Sequence, residues 1–405
     1  MNSKPTSTIA YRLAIAMFLA AFTAASSARA AVTVGAQDNV QIGGFFSQGW
    51  ITSSGNNYPF EAEGGTFDFR EMAVNVSTTF GSHLRVGAQA FAQRLGNYGN
   101  DEVKLDWAVA DYNFRQEFGV RAGRVKFPKG LYGEALDLDA VRPFVFLPMS
   151  LYNPVVRDFN SSFDGAMVYG SVEAGAAGSI DYKLFYGDIR MDPEQGVSDF
   201  FNTTSIFASP GVDRLGMDEV GGGQLLWSTP ISGLKVGYSY SWLGELEAAG
   251  KLAAAPVFPA ALRTDRYEYH TGSIEYLVGD WTFAGEYQQV GGDFEVVNPF
   301  STTATKSRSV NWYVSAARRL TSRFEVGAYY STQENDNPSA TTRKQATYNR
   351  DWALALRYDV NDHVLVKLEG HWVDGYYNVF NTVRTPNRTI EDETTFFAAK
   401  TTLSF

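Results

Sequence analysis

Apolar and polar side chains alternate along most of the chain from residue 40 to the C-terminus. A period of two is the pattern of a β-strand with one apolar and one polar face. Leu105, Trp107 and Val109 share the apolar parity of one segment, and Val364 and Val366 that of another. The pattern predicts sixteen strands, with apolar positions at 40–50, 72–80, 84–92, 103–109, 118–122, 166–168, 180–186, 225–227, 234–242, 267–277, 281–287, 310–314, 324–330, 352–358, 364–372 and 397–405.

The connections between these segments alternate between short turns and long loops, which is typical of a closed antiparallel barrel with both chain ends on the short-turn side. The seven short turns are at 81–82, 115–116, 174–178, 230–233, 279–280, 321–322 and 360–362. The eight long loops are near 53–65, 96–101, 127–161, 189–217, 244–265, 291–307, 332–347 and 374–393. Within the fifth loop, the Ala-rich stretch 246–262 is expected to be a short helix or flexible.

The chemistry of the two strand faces indicates which face meets lipid. The apolar parity carries Trp and Tyr near strand ends, as interfacial aromatic girdles do. Arg or Lys facing lipid at mid-membrane costs about 2–4 kcal/mol, and Arg318, an apolar-parity exception, lies close to a turn. A soluble sandwich or propeller is the alternative. We predict an all-β fold, a transmembrane antiparallel β-barrel of sixteen strands, with fourteen or eighteen strands as alternatives.

The longest interruption of the pattern is an insert at residues 127–161, whose centre from Phe144 to Leu151 is too apolar for a solvated tail. We predict that it folds inward as a constriction loop and that its apolar centre packs the loop. If that centre faces the pore, aromatic or amphipathic solutes are favoured. The candidate constriction residues are Lys129, Glu134, Asp137, Asp139, Arg142, Arg157 and Asp158. Alternatively, these charges pair with the wall and only pin the insert.

The polar parity of the strands leans basic. The candidate lumen-wall bases are Arg85, Lys104, Arg121, Lys183, Lys235, Arg319, Arg357, Lys367 and Lys400. The acids that oppose them are Asp106, Asp181, Glu286, Glu325 and Glu369. This balance predicts a mild anion preference, which the acids of the insert would reverse if they dominate the narrowest section.

The first thirty residues have the pattern of a secretory signal peptide, with Lys4 and Arg12 before an apolar run and Ala28-Arg29-Ala30 as the cleavage signal. The domain prediction is therefore a signal peptide at 1–30 and a barrel at 31–405. Without Lys4, Arg12 and Arg29, the 34 basic residues become 31 against 44 acidic residues, a net charge of −13. This balance argues against nucleic acid as a partner. The chain has no cysteine.

Two features resemble the Gram-negative outer-membrane porin superfamily. The chain ends in TTFFAAKTTLSF, and the insert falls between the fifth and sixth strands; its opening, GRVKFPKGLYGE, is similar to segments of phosphate-selective and dicarboxylate-type porin-like proteins. The resemblance implies an outer-membrane location, contact with membrane lipid and lipopolysaccharide, and a homotrimer. It also implies that the outer-membrane assembly machinery recognises a C-terminal signal with Phe397, Leu403 and Phe405. The second loop, 96–101, is shorter than in general porins, which puts their intersubunit latch in doubt.

These observations predict a passive diffusion channel for small hydrophilic solutes, which needs no catalytic residue, metal or cofactor. Two other classes remain open, a barrel hydrolase and a surface adhesin or structural barrel. Glu134, Asp137 and Asp139 offer hard oxygen ligands of the kind that Ca²⁺ prefers, without the ordered spacing of a specific loop. The four histidines are scattered and form no metal or nucleophile motif.

Overall fold

The computed structural model describes residues 40–159, 161–191, 196–202, 206–340, 342–379 and 390–405, together with the backbone of 32–34. Eighteen strands are present in this part of the chain. Their bounds are β1 Val32–Val34, β2 Val40–Ser54, β3 Phe69–Phe80, β4 Leu84–Leu95, β5 Lys104–Arg115, β6 Phe118–Lys126, β7 Ser162–Glu173, β8 Ser179–Asp188, β9 Phe207–Gly216, β10 Glu219–Ser228, β11 Leu234–Leu252, β12 Pro259–Val278, β13 Trp281–Asn298, β14 Ser301–Arg319, β15 Phe324–Asn335, β16 Tyr348–Asp359, β17 Val364–Asp374 and β18 Glu393–Ser404. No described helix is long and apolar enough to cross a membrane.

Sixteen of the described strands close into one antiparallel barrel. Strands β2 to β8 and β10 to β18 each pair with their neighbours in order, and β8 pairs directly with β10. The barrel closes where β18 pairs with β2, from Thr395 opposite Ser54 to Ser404 opposite Phe45. The two remaining strands are accessory: β1 pairs with the start of β2, and β9 with the end of β11. The prediction of a sixteen-strand barrel is confirmed.

The two faces of the barrel wall are inverted relative to a soluble protein. On the outer face, Leu184 and Trp352 are each 59% exposed, and on the inner face Lys367 and Glu369 are 0% exposed. Apolar groups therefore point away from the barrel and charged groups point into it. This arrangement suits a barrel surrounded by lipid, whose closed ladder satisfies the backbone hydrogen bonds. Arg318 lies on the outer face with its guanidinium 5.2 Å from the ring centroid of Trp281.

The parity prediction fails on β5, where a β-bulge interrupts the pairing with β4. Ala90 lies opposite Leu105 and Gln89 opposite Trp107, so Asp106 is the extra residue. A bulge re-aims the side chains that follow it. Val109 therefore packs in the interior rather than facing outward as the alternation predicted. The same bulge directs the buried Asp106 inward, where it contacts the insert.

All seven short turns lie where the sequence predicts them, at what we term the turn end of the barrel. Two of the expected long loops at the opposite loop end are instead strand hairpins. Strands β11 and β12 pair as far as Lys251 and Pro259, so the expected helix or flexible segment at 246–262 is wrong. Strands β13 and β14 continue to Asn298 and Ser301. Continuous backbone pairing carries both hairpins past the predicted strand ends, and the pairing of β9 with β11 supports the first hairpin only.

The insert lies inside the barrel. Its centre contains a one-turn helix, α1, at Met149–Tyr152. Phe146 stacks on Phe69 of the wall with ring centroids 5.2 Å apart, and Phe144 packs against Tyr329 at 5.0 Å. The apolar centre therefore packs the loop onto the inner wall. A second helix, α2 at Gly196–Asn202, lies in the loop between β8 and β10.

The C-terminal residues complete the closure of the barrel. The backbone of Phe405 exchanges two hydrogen bonds with Gly44 at 3.0 Å. A Cβ atom at Gly44 would lie 2.5 Å from the carbonyl oxygen of Ala73, so this close approach requires glycine. Phe397, Leu403 and Phe405 lie on the outer face and are 41–43% exposed.

Candidate pore constriction

The root of the insert is held by four alternating charges, which we term the root cluster: Asp106, Lys126, Asp137 and Arg157. Lys126 Nζ lies 2.7 Å from Asp106 and 2.5 Å from Asp137. Arg157 Nη2 donates to Asp106 at 2.6 Å and to Asp137 at 3.1 Å. Burial alone would raise the pKa of Asp137, but the charges of Arg157 and Lys126 outweigh it and hold that pKa below its usual value. The carboxylate therefore stays ionised at neutral pH, and the cluster has two charges of each sign.

Loss of one member of the root cluster is expected to release the insert. Arg157→Gln leaves two buried carboxylates with Lys126 alone, and breaking a buried pair typically costs about 3–5 kcal/mol. Trypsin is expected to leave the insert of the wild-type barrel intact and to cut the variant after Lys129, which is followed by glycine. The control is Lys306→Gln, which removes an exposed pair with Asp293 on an outer hairpin. Equal resistance of both variants would contradict a pinning role for the cluster.

A second group of charges, which we term the far-wall cluster, joins the insert to strands β3, β17 and β18. It consists of Asp139 and Arg142 of the insert, Lys367 on β17, Lys400 on β18 and Glu71 on β3. Asp139 lies 2.8 Å from Lys400 Nζ and 3.5 Å from both Lys367 Nζ and Arg142 Nη2. Lys367 Nζ also donates to the carbonyl oxygens of Asp139 and Phe144, at 2.8 and 2.9 Å. Glu71 pairs with Lys400. The cluster has three cations and two acids.

Two buried wall carboxylates bind the backbone of the insert. Glu369 accepts hydrogen bonds from Val145 N at 2.7 Å and Phe146 N at 3.0 Å. His371 lies between Glu369 and Asp351, with its two ring nitrogens 2.8 Å and 2.9 Å from carboxylate oxygens. Both nitrogens face acceptors, so the ring is a double donor that supports the negative charge of Glu369.

Glu286 on β13 makes the corresponding contact near the start of the insert. Its carboxylate accepts hydrogen bonds from Leu131 N at 2.9 Å and from the hydroxyls of Tyr152 and Tyr313 at 2.5 and 2.8 Å. Ser273 donates a further bond at 2.7 Å. Four donors therefore satisfy this carboxylate, and two of them belong to the insert.

The remaining predicted constriction residues lie at different parts of the wall. Glu134 pairs with Arg121 at 3.4 Å and with Lys183. Lys129 is 4% exposed and donates to the carbonyl oxygen of Leu151 at 3.1 Å. Burial lowers the pKa of Lys129 to about 8. The side chain of Asp158 lies outside the described part of the chain.

The predicted wall bases divide into those that contact the insert and those near the barrel ends. Arg357 belongs to the first group, with Nη1 donating to the carbonyl oxygen of Ala140 at 2.6 Å. The second group is paired with nearby acids or hydroxyls. Its contacts are Arg85 with Ser77 at 3.4 Å, Lys104 with Glu102 at 3.4 Å, Lys235 with Glu275 at 3.9 Å, and Arg319 with Asp359 at 2.5 Å.

Between the insert and strands β3, β4 and β18 lies a cavity of about 50 Å³, which we term the constriction cavity. The charged side chains that line it are Glu71, Asp137, Arg142, Arg157 and Lys400. The insert contributes two cations and one acid to this cavity, and the wall contributes Lys400 and Glu71, so charges of both signs lie on each side of a gap that water can enter. Charges of both signs on facing surfaces create a transverse field at the narrow section.

The sequence patterns missed several residues of this site. Glu71 lies on the polar parity of β3, but the predicted strand began at Met72. Tyr313, Tyr329 and Asp351 also carried no signal, because their partners are distant in sequence.

The three acids considered as Ca²⁺ ligands do not form one site. Glu134, Asp137 and Asp139 pair with lysines on three different strands, β8, β6 and β18. No group of three or more metal-ligating side chains occurs among the described residues.

Comparison with known proteins identifies the fold. No protein-family model matches the chain, and no curated protein matches it. Solved structures do: OmpF of Salmonella typhi in complex with daunomycin has a TM-score of 0.60 at 11% identity, covering 92% of this chain and 100% of that one. An anion-selective porin from Comamonas acidovorans scores 0.53 at 11% identity, covering 90% and 99%. The trimer form of OmpT from Vibrio cholerae scores 0.50 at 13% identity, covering 90% and 99%.

The chain therefore has the sixteen-strand fold of outer-membrane porins. Its apolar exterior, its buried charged side chains inside the barrel and its closed ladder are the properties of an outer-membrane β-barrel. The porin-like resemblance and the outer-membrane location expected from the sequence are confirmed at the level of the fold.

Proposed function

We propose that the protein is a passive diffusion channel of the outer membrane for small hydrophilic solutes, with a mild preference for anions. The observation that carries this proposal is the insert inside the barrel, held by the root cluster, the far-wall cluster and two buried carboxylates. Such a loop leaves a narrow polar passage whose selectivity depends on the charges beside it. Chemistry on the solute is not required.

The anion preference rests on the balance of charge at the constriction cavity. Arg142, Arg157 and Lys400 outnumber Glu71 and Asp137 there by one charge. A single excess charge favours anions only moderately, because each cation has an acid partner. The wall bases near the barrel ends contribute little, since a Debye length of about 10 Å at 0.1 M salt screens them from the constriction.

The reversal potential of the purified protein in a planar bilayer under a KCl gradient tests both parts of the proposal. Stable conductance steps with a chloride-favouring potential are expected. Lys400→Gln is expected to shift the potential toward potassium, and Glu71→Gln toward chloride, because the two side chains form one ion pair in the cluster. Potassium preference in the wild type would contradict the anion part. Absence of conductance would contradict the channel and favour the adhesin or hydrolase alternative.

We also propose a homotrimer, for which the trimer form of OmpT from Vibrio cholerae is the structural precedent. The second loop does not extend away from its own barrel. Asn97 contacts Glu61, and Asp101 pairs with Arg70 and Arg94. Contacts between subunits would therefore involve the outer walls of the barrels. Sedimentation of the detergent-solubilised protein at three times the monomer mass supports the trimer, and a monomer mass overturns it.

Export and assembly complete the proposal. Residues 1–30 would be removed as a signal peptide during passage to the periplasm. The barrel at 31–405 would then be inserted by the outer-membrane assembly machinery through the outward-facing Phe397, Leu403 and Phe405. The turn end would face the periplasm, and the loop end would meet lipopolysaccharide and the solutes outside.

A further inference from the structure

A second cavity, which we term the outer cavity, lies between helix α1 and strands β12 to β15. It measures about 70 Å³. Gln288 and Asn311 in its wall are each two residues nearer the loop end than the Glu286–Tyr313 contact. The half-exposed Tyr377, Asn378 and Gln333 also line it. A solute that enters from the loop end therefore meets this cavity before the constriction.

The wall of the outer cavity contains a buried hydrogen-bond acceptor that is unused. Asn311 is 2% exposed, and its Oδ1 atom has no hydrogen-bond partner among the described residues. Its Nδ2 group donates to Gln288 Oε1 at 3.4 Å, and Gln288 Nε2 donates to Thr271 Oγ1 at 2.9 Å. The amides are therefore held in place by each other. The Oδ1 atom is almost fully covered, so the amide must turn slightly before a donor in the cavity can reach it. Buried polar groups are normally bonded, so an unused acceptor beside a cavity favours a donor that enters it.

The other lining groups specify what kind of donor fits. Tyr267 and Tyr269 pack edge to face, with centroids 5.4 Å apart, and present ring surface to the cavity. Lys129 Nζ lies 5.0 Å from the ring centroid of Tyr269. No acidic side chain is among the described residues that line the cavity. The cavity thus combines an acceptor, several amides, aromatic faces and one cation.

We propose that the outer cavity is a binding site for a polyhydroxylated solute, a sugar alcohol or sugar acid, whose hydroxyl donates to Asn311 Oδ1. The C–H face of such a solute packs against the tyrosines, and the amides of Gln288, Gln333 and Asn378 exchange hydrogen bonds with its other hydroxyls. A carboxylate, where present, is placed near Lys129. This inference deepens the proposed function, on which it rests, by naming a class of solute that is held before the constriction.

The alternatives fit the lining less well. A divalent cation needs oxygen anions, which the described wall of the cavity lacks. A purely apolar solute would leave Asn311 and the neighbouring amides without partners. Each water needs roughly 10–15 Å³ of such volume, so the cavity takes about five waters. That is the space of part of a small solute and not of a long chain.

Calorimetry of the detergent-solubilised protein tests the site without depending on conductance. The probes are sorbitol, gluconate and hexanoate; the first two carry neighbouring hydroxyls and hexanoate carries none. Binding of sorbitol or gluconate, with hexanoate much weaker, is expected. If gluconate binds more tightly than sorbitol, Lys129 contacts the carboxylate of the solute. If the two affinities are equal, the hydroxyl groups alone are recognised. Hexanoate as tight as gluconate, or no binding of either hydroxylated probe, overturns the proposal.

Variants locate the binding. Asn311→Leu preserves the volume and removes the acceptor, so affinity is expected to fall about tenfold, the effect of one well-formed hydrogen bond. Asn75→Leu on β3, which contacts Gln89 at 3.5 Å, is the matched luminal control and should bind as the wild type does. Gln333→Leu at the rim gives a second test if Asn311→Leu does not fold. If Asn311→Leu folds and binds the hydroxylated probes with the affinity of the wild type, the proposed site is wrong.

Current measurements separate this site from the channel itself. Addition of sorbitol or gluconate at the loop end is expected to reduce or interrupt the ion current of the wild type and to do so less in Asn311→Leu. Calorimetric binding without any ion current would leave the site intact and overturn the diffusion channel. Ion current with no calorimetric binding would leave the diffusion channel intact and overturn the binding site.

Discussion

Deletion of Leu131 to Asn153 is expected to raise the single-channel conductance several-fold while the barrel still folds. These residues include the apolar centre of the insert, α1, Asp137 and Asp139, which lie inside the barrel. They contribute no residue to any barrel strand. Conductance rises with the cross-section of the narrowest passage, so removal of the loop leaves the width of the wall itself as the limit. The measurement is the step size in a planar bilayer.

The matched control is removal of residues 253–258, the turn between β11 and β12 at the loop end, which lines neither the constriction cavity nor the outer cavity. That change is expected to leave the step size unaffected. Both proteins should retain the β-sheet circular dichroism of the wild type, because the ladder from β2 to β18 is intact. Unchanged conductance in a folded 131–153 deletion would show that the insert does not limit the current.

The barrel was predictable because its signals are local. Strand alternation follows from each strand having one lipid-facing and one lumen-facing side, and glycines with positive φ mark turns such as Gly81 and Gly279. The position of the insert also followed from local sequence. The predictions failed where neighbouring strands override local preference. The bulge at Asp106 depends on pairing with β4, and the long β11–β12 hairpin depends on β9.

The site was only partly predictable because its contacts are not local. The charged residues of the insert were identified by type, but their partners were not. Asp139 bonds Lys367 and Thr402, which are 228 and 263 residues away in sequence. Neither alternation nor composition specifies which wall a loop reaches. The wall bases were expected to line the lumen, and the structure places Lys367 at 0% exposure beneath the insert. The local sequence shows which positions are charged, whereas the closed barrel determines which of these charges lie close enough to pair.

Substitution of Glu369 by Gln is expected to detach the centre of the insert from the wall. The two carboxylate oxygens accept the consecutive amides of Val145 and Phe146, and one of them also accepts from His371. Glutamine keeps a single carbonyl acceptor and turns an NH₂ group toward a backbone N–H. It also leaves the buried His371 with Asp351 alone. Breaking a buried charged contact of this kind costs about 3–5 kcal/mol, which is comparable to what holds a loop in place.

The expected consequence of E369Q is a channel with frequent current fluctuations above the wild-type level and a lower urea concentration at the midpoint of unfolding in lipid vesicles. The control is Glu275→Gln, which lies on the inner wall near the turn end and is paired only loosely with Lys235, at 3.9 Å. It should leave the noise and the midpoint near those of the wild type, since an exposed or loose pair contributes about 0–1 kcal/mol. Equal noise in the two variants would mean that the backbone contacts of Glu369 do not hold the insert. The constriction would then depend on its ion pairs alone, and Arg157→Gln and Lys400→Gln would become the decisive variants.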